Sequence, residues 1–241
     1  MRIVFPAAAL LLLSACGFGS SGGAESSGED GERAFELADF DTVSLRGPDN
    51  AEVTIGDGFS VRAEGDTGIL EDLDIDVRRG TLRIGRDSTG HFNWSGGDNG
   101  AVTVYVTLPA LKEASVAGSG DMTVESAEAD RFEGSIAGSG NLSIGRLAAT
   151  SVEFDIAGSG NISAAGLAER IEINIAGSGN VAAEDLRAAR LVVNIAGSGD
   201  IDAFATDRAE ATLLGSGDVR VRGGASCSSN SLGSGELRCS E

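Results

Sequence analysis

The chain has 241 residues, with 37 Asp and Glu against 18 Lys and Arg and a formal net charge of −19. So acidic a surface repels nucleic acid and anionic headgroups. With one histidine and three cysteines in the whole chain, neither a zinc-type cluster nor a His-rich catalytic centre has the residues it needs.

At the start, Met1-Arg2 forms a minimal positive region and Ile3 to Leu13 an apolar run interrupted by Pro6. The run is too short to span a bilayer and suits a signal peptide over residues 1–15. It ends in Leu13-Ser14-Ala15-Cys16, which resembles a bacterial lipobox; cleavage before Cys16 would leave a diacylglyceryl group on that thiol. The expected consequence is tethering to a membrane by acyl chains, with Gly17 in place of a retention Asp favouring the outer membrane. Residues 16–34 then read as the lipidated Cys and a Gly/Ser/Glu tether with almost nothing apolar to bury.

Residues 35–241 read as one all-β unit. Its early strands are unevenly spaced: Val43/Leu45, Val53/Ile55, Val61/Ala63, Leu73/Ile75/Val77, Leu82/Ile84 and Val102/Val104/Val106/Leu108. Turn signals at Gly47-Pro48-Asp49-Asn50, Gly56-Asp57-Gly58, Gly65-Asp66 and Gly80 separate them. Residues 35–110 are therefore expected to form wide, irregular coils that cap one end of a column. His91, Phe92 and Trp94 share one Gly-rich loop; they are expected to fold back over an apolar edge, the alternative being a recognition tip.

From residue 111 onward the sequence repeats. AGSGD at Ala117 returns as AGSGN at Ala137, Ala157 and Ala176, as AGSGD at Ala196, as LGSGD at Leu214 and as LGSGE at Leu232. A period of 18–20 residues marks a unit that buries its apolar side only against stacked neighbours. Before each motif the alternation is that of a strand, as in Phe132/Gly134/Ile136, Val152/Phe154/Ile156, Ile171/Ile173/Ile175 and Leu191/Val193/Ile195. It resumes after the motif as Leu142/Ile144, Ile162/Ala164, Val181/Ala183, Ile201/Ala203 and Val219/Val221, often with a further Leu at 147, 167 or 186. Carried through the motif, this parity points Ile136, Gly138, Gly140 and Leu142 inward and Ala137, Ser139 and Asn141 outward. The inward glycines mark a corner where other backbone comes too close for a Cβ.

The fold class that follows is a single-domain β-solenoid, a parallel β-helix of 18–20 residues per coil, right-handed by the general preference of parallel crossovers. Seven coils at about 4.8 Å each would make a column roughly 34 Å long.

Two sets of residues carry chemistry. Cys227 and Cys239 fall at inward positions of the last coil and, with Cys16 acylated, form an even pair in an oxidising compartment. A disulfide is expected, two buried thiols being the alternative. The residue after each GSG gives a row, Asp121, Asn141, Asn161, Asn180, Asp200, Asp218 and Glu236. Its last three carboxylates could hold a cation, but tolerance of full charge suits a solvated ladder better, so no metal is expected. One repeated turn accounts for all seven motif serines, so flanking glycines single none of them out as a nucleophile.

Strand Phe40–Arg46, the Gly65-Asp66 turn, the GTLRI stretch at Gly80, the VTVYVTLPAL stretch at Val102 and the GSG-[DNE] repeats together resemble the DUF2807 family, labelled putative auto-transporter adhesin, head GIN domain. The resemblance covers about residues 38–240 and implies a β-helical, often lipid-anchored envelope protein with no catalytic residues and no cofactor. The expected function is a non-catalytic binding, adhesion or scaffold module. Its face would be Ser119, Ser139, Asn141, Ser159, Asn161, Ser178, Asn180, Ser198 and Asp200, and its partner a glycan or another envelope protein. The alternatives are an enzyme acting on polysaccharide through carboxylates between the early coils, and a structural or stress role in the envelope.

Overall fold

A computed structural model describes residues 28–86 and 101–241. The expected signal peptide, Cys16, and the His91, Phe92 and Trp94 loop lie outside the described residues. Strands β10 (Ala127–Gly138), β11 (Leu142–Gly158), β12 (Ile162–Gly177), β13 (Val181–Gly197) and β14 (Ile201–Gly215) are ribbons that each sweep one turn and end at a GSG corner. Each pairs in parallel with the next, and identical motif positions meet: Ile136 lies beside Ile156, Ala137 beside Ala157 and Gly138 beside Gly158. The chain is thus a β-solenoid, as the period requires, and its recurring serines stand in a row.

The apolar parity holds through the repeats. Phe132, Val152, Phe154, Ile171, Leu191 and their neighbours line the interior as one continuous core. At the corner the first glycine has a positive φ, +144° at Gly118 and +134° at Gly138. A Cβ on Gly118 would lie 2.5 Å from the carbonyl oxygen of Gly47. The backbone that excludes a side chain is therefore that of the coil beneath, not an opposite wall. The same carbonyl accepts the Ser119 and Gly120 N–H groups at 3.1 and 3.0 Å, and the pattern recurs as Ser139 N–H to Gly118 and Ser159 N–H to Gly138, both at 2.8 Å.

The capping end differs from the expected run of wide coils. Strands β2 (Thr42–Gly47) and β3 (Asn50–Ile55) form a true coil, with Gly47 stacked on Gly118. The Gly47-Pro48 turn is thus the first corner of the column. The chain then leaves along β4 (Ser60–Asp66), the short helix α1 (Thr67–Glu71) and β5 (Leu73–Arg78), and returns through β6 (Thr81–Arg86) and β7 (Thr103–Leu108). Strands β6 and β7 pair in parallel with the outer edges of β2 and β3, whereas β8 (Glu113–Gly118) and β9 (Met122–Val124) pair with their inner edges. The coil first in sequence is therefore second in the stack, clasped between later segments. Antiparallel pairs, β4 with β7 and β5 with β6, close the end. Asp66 caps α1, its Oδ1 accepting the Gly68 N–H at 2.9 Å.

Residues 30–34, read as tether, belong to the fold: β1 (Asp30–Phe35) pairs antiparallel with β4. Its burial is slight, so no apolar alternation announces it. Leu167 is a second departure, exposed to 63 % and not part of the core. The step from Gly158 to Gly177 is one residue shorter than its predecessor, and the register slips so that Gly166 takes the place beside Leu147. A slip of one residue turns a side chain to the other face.

Candidate binding face

Working outward from the corner, Ser119, Ser139, Ser159, Ser178 and Ser198 are all exposed and stacked. The Asn/Asp row beside them is engaged along the column. Asp121 Oδ1 accepts both the backbone N–H and the side-chain amide of Asn141, at 2.9 and 2.8 Å. Asn141 Oδ1 does the same for Asn161, and Asn161 Oδ1 for Asn180. The row continues through the Asp200 N–H on Asn180 Oδ1, the Asp218 N–H on Asp200 Oδ1 and the Glu236 N–H on Asp218 Oδ1. It begins at Asn50, whose Oδ1 accepts the Asp121 N–H. Each coil needs a carbonyl-type oxygen two bonds beyond Cβ to receive the next coil's N–H, which Asn and Asp supply. Glu appears only at the last position, where no coil follows. These residues hold the stack, and among the described residues no three His, Cys, Asp or Glu side chains gather to hold a metal ion.

The strand before each corner presents the broader surface, and its outward columns beyond the expected alanine escaped the sequence reading. One column is alanine at 117, 137, 157, 176 and 196, passing into Leu214 and Leu232. Beside it run Ser115, Ser135, Asp155, Asn174, Asn194 and Thr212, within which Asn174 donates to Asp155 and Asn194 to Asn174, both at 2.9 Å. These two columns floor a shallow groove of about 650 Å³. Next come Glu113, Glu133, Glu153, Glu172, Val192 and Glu210, then Arg131, Ser151, Arg170, Arg190 and Arg208. Ion pairs join Arg131 to Glu153, Arg170 to Glu172 at 3.3 Å, and Arg208 to Glu210. Burial, with Glu133 and Asp41 nearby, pushes the Glu113 carboxyl up from its ordinary value. Counting back a fixed one, three, five and seven residues from the first glycine of each motif would have exposed these columns.

Carboxylates of the capping end are structural. Asp49 is fully buried, its two oxygens held by Arg86 at 2.6 and 2.9 Å and by the Val102 N–H at 3.1 Å. Asp76 is held down to about 2 by the guanidiniums of Arg83 and Arg78, although the little burial it has works the other way. Glu32 and Glu64 share Arg62, which also lies 4.5 Å over the Tyr105 ring.

Cys227 and Cys239 are joined in a disulfide, with Cα atoms 6.7 Å apart and a separation of 12 in sequence. Cys227 stacks on Ala209 and Cys239 on Val221, the inward columns expected of them. Both are exposed all the same. No coil lies above to cover them, and β16 (Ser226–Gly233) also sets Ser229 and Ser231 where Ala211 and Leu213 stand below.

Fold and site define a class: a glycine-cornered parallel β-solenoid with a flat, repetitive face. Residues 39–225 match the DUF2807 family, "Putative auto-transporter adhesin, head GIN domain", and the chain belongs to that family. Among solved structures it is similar to a putative adhesin from Bacteroides fragilis, at TM-score 0.79 and 22 % identity, covering 89 % of this chain and 99 % of that one. It is also similar to a putative lipid binding protein from Parabacteroides distasonis, at TM-score 0.72 and 26 % identity, covering 90 % and 98 %. A putative adhesin from Parabacteroides merdae follows at TM-score 0.70 and 18 % identity, covering 90 % and 98 %. No curated protein matches the chain.

Proposed function

We propose that the protein is a non-catalytic adhesion or binding module of the bacterial envelope, anchored through an acylated Cys16 to the outer membrane and lifted from it by the tether that precedes β1. The observation that carries this reading is the outward register. From Ala117 to Ser198 every coil returns Ala and Ser to the same outward places, which suits contact over an extended area better than chemistry at a point. The names borne by its relatives, two adhesins and a lipid binding protein, agree with binding. The exposed serines Ser119, Ser139, Ser159, Ser178 and Ser198 and the alanine column are the contact surface, whereas Asn141, Asn161, Asn180 and Asp200 keep its spacing. A glycan or an envelope protein is the class of partner, and the acidic chain turns nucleic acid away.

The test is capture from envelope extracts with the acylated full chain, against a variant in which Ser139, Ser159 and Ser178 are all changed to Lys. These side chains are exposed, so the variant is expected to keep its circular dichroism and its melting temperature while losing the captured components. Equal capture by both proteins would refute the assignment of this face.

A further inference from the structure

We propose that β1 is a releasable strap: it comes away from β4 as a unit while the column stays folded, and its release lengthens the tether. The release stands on the geometry of β1. The use made of the slack rests on the reading of the preceding segment as a membrane tether.

Connectivity places the strap in series with any load. A pull on the chain ahead of Gly28 acts first on β1 and reaches the column only at Phe40. That residue is a firm anchor, 3 % exposed with its ring 5.0 Å from that of Phe59, and β2 follows it into the clasped coil. Between strap and anchor the chain bends at Leu37, whose N–H returns to the Phe35 carbonyl at 3.1 Å, and at Asp39, which is left-handed with φ +62°. A residue with a Cβ adopts that region at a cost, and a straightened strap no longer needs it.

Little is buried under β1. Of its residues only Gly31 and Phe35 are half-buried, and Phe35 and Leu37 touch the core only from its rim. Polar contacts hold the strap instead. Its ladder sets Asp30 beside Asp66 and Phe35 beside Val61. The Gly28 N–H donates to Asp66 Oδ2 at 2.7 Å, and the Thr67 N–H to the Glu29 carbonyl at 2.9 Å. Arg33 donates to the Leu70 and Leu73 carbonyls at 2.8 and 3.4 Å. Water takes over such bonds at an exposed edge, so opening forfeits little.

What lies beneath is complete without the strap. β4 keeps its ladder to β7 from Ser60 to Glu64. α1 keeps its cap, because Asp66 holds the Gly68 and Ile69 N–H groups through Oδ1 while Gly28 uses Oδ2. The edge that β1 leaves carries Arg62, Glu64 and Asp66, charges that discourage another strand from taking its place. Released, residues 28–39 add about 40 Å of contour at roughly 3.4 Å per residue.

Hydrogen exchange of the full-length mature chain carrying Cys16→Ser tests the release. Amides of residues 30–35 are expected to exchange at least about a hundredfold faster than those of β7 and β11, as local opening requires. Arg33→Ala should speed them about tenfold further and leave the circular dichroism and melting temperature unchanged. Ala34 and Arg62 face each other across the ladder, so the oxidised pair Ala34→Cys with Arg62→Cys should slow them to the rate of β4. Protection of β1 equal to that of β7 in the parent, or loss of protection that spreads to β7 in step with β1, overturns the inference. Pulling the unacylated chain between its Cys16 thiol and its C-terminus reads the slack. An extension of about 40 Å should precede unfolding of the column, and the oxidised pair should abolish it. No early extension, or one that persists with the pair closed, overturns the inference as well. Anchoring is read separately from the mass of the chain recovered from envelopes: an unmodified Cys16 would refute the tether and leave the release standing.

Discussion

Asn141, Asn161 and Asn180 show how much one side chain can settle in a stacked fold. In a single coil they are polar residues at a turn. In the stack each oxygen receives an N–H from the coil above and each amide reaches back to the coil below. Parity read along the chain could tell which residues face out, because alternation is a property of one strand. It could not reveal bonds made between coils, which explains why the row seemed merely solvated. Glu113 is the opposite case, a residue whose stacking is unfavourable. Burial foremost, then Glu133 and Asp41, raise its carboxyl above the ordinary 4.5. The folded state thus binds this proton more tightly than the unfolded one, so the group's contribution to stability is present below that ordinary value and is lost as pH rises through the folded one. Glu113→Gln should accordingly melt about 1–3 °C higher than the parent at pH 7, and the gain should vanish by about pH 4. Scanning calorimetry of dilute protein at both pH values checks this; a gain that is the same at both would be wrong for titration.

At the scale of the element, one coil differs from the next by what lies above it. Most coils are covered by a successor and can be apolar inside. The last is not, and it sets Cys227, Ser229 and Ser231 in the inward columns with Glu236 in place of the usual Asn or Asp. A polar terminal unit of this kind stops further stacking, and the disulfide ties it down where packing cannot. Reduction or Cys227→Ser should remove about 3 kcal/mol in the chain-entropy account of so short a loop. Because the end coil makes few apolar contacts, the loss should be local. In hydrogen exchange, the Ser240 N–H bonded to Val221 and the other bonds of this last turn should lose protection, while those around Gly158 keep it. Uniform loss along the column would mean that the ends and the middle unfold together. The cysteine columns were legible from the repeat alone, since the spacing of the motifs fixes the register. Leu167 was not. A coil one residue short still shows Leu at a familiar distance from GSG, and only the pairing of Gly166 with Leu147 reveals that the side chain has turned outward.

For the molecule as a whole, the repeats were written in the sequence and the capping end was not, since periodicity says which residues stack on their successors and nothing of which segment turns back. The coil of β2 and β3 is held on both sides by strands that come later, so its place depends on the return of the chain through β6 and β7. Asp49 fixes that return. It sits just after the first corner, wholly buried, and receives Arg86 at the end of β6 and the Val102 N–H just ahead of β7. One carboxylate thereby pins both stems of the segment 87–100 against the coil they clasp. Removing it takes the shared carboxylate away from the Arg86 guanidinium and the Val102 N–H in a largely dry place, and breaking such a pair from one side costs about 3–5 kcal/mol. Asp49→Ala should therefore destabilise the capping end far more than an exposed pair such as Lys112 with Asp41, whose loss is worth about 1 kcal/mol or less. Urea unfolding followed at Tyr105, which lies on β7, should show the variant losing its capping end at a lower midpoint than the repeat coils, reported by far-ultraviolet circular dichroism. Coincident transitions at the parent's midpoint would mean that the pair does not lock the clasped coil in place.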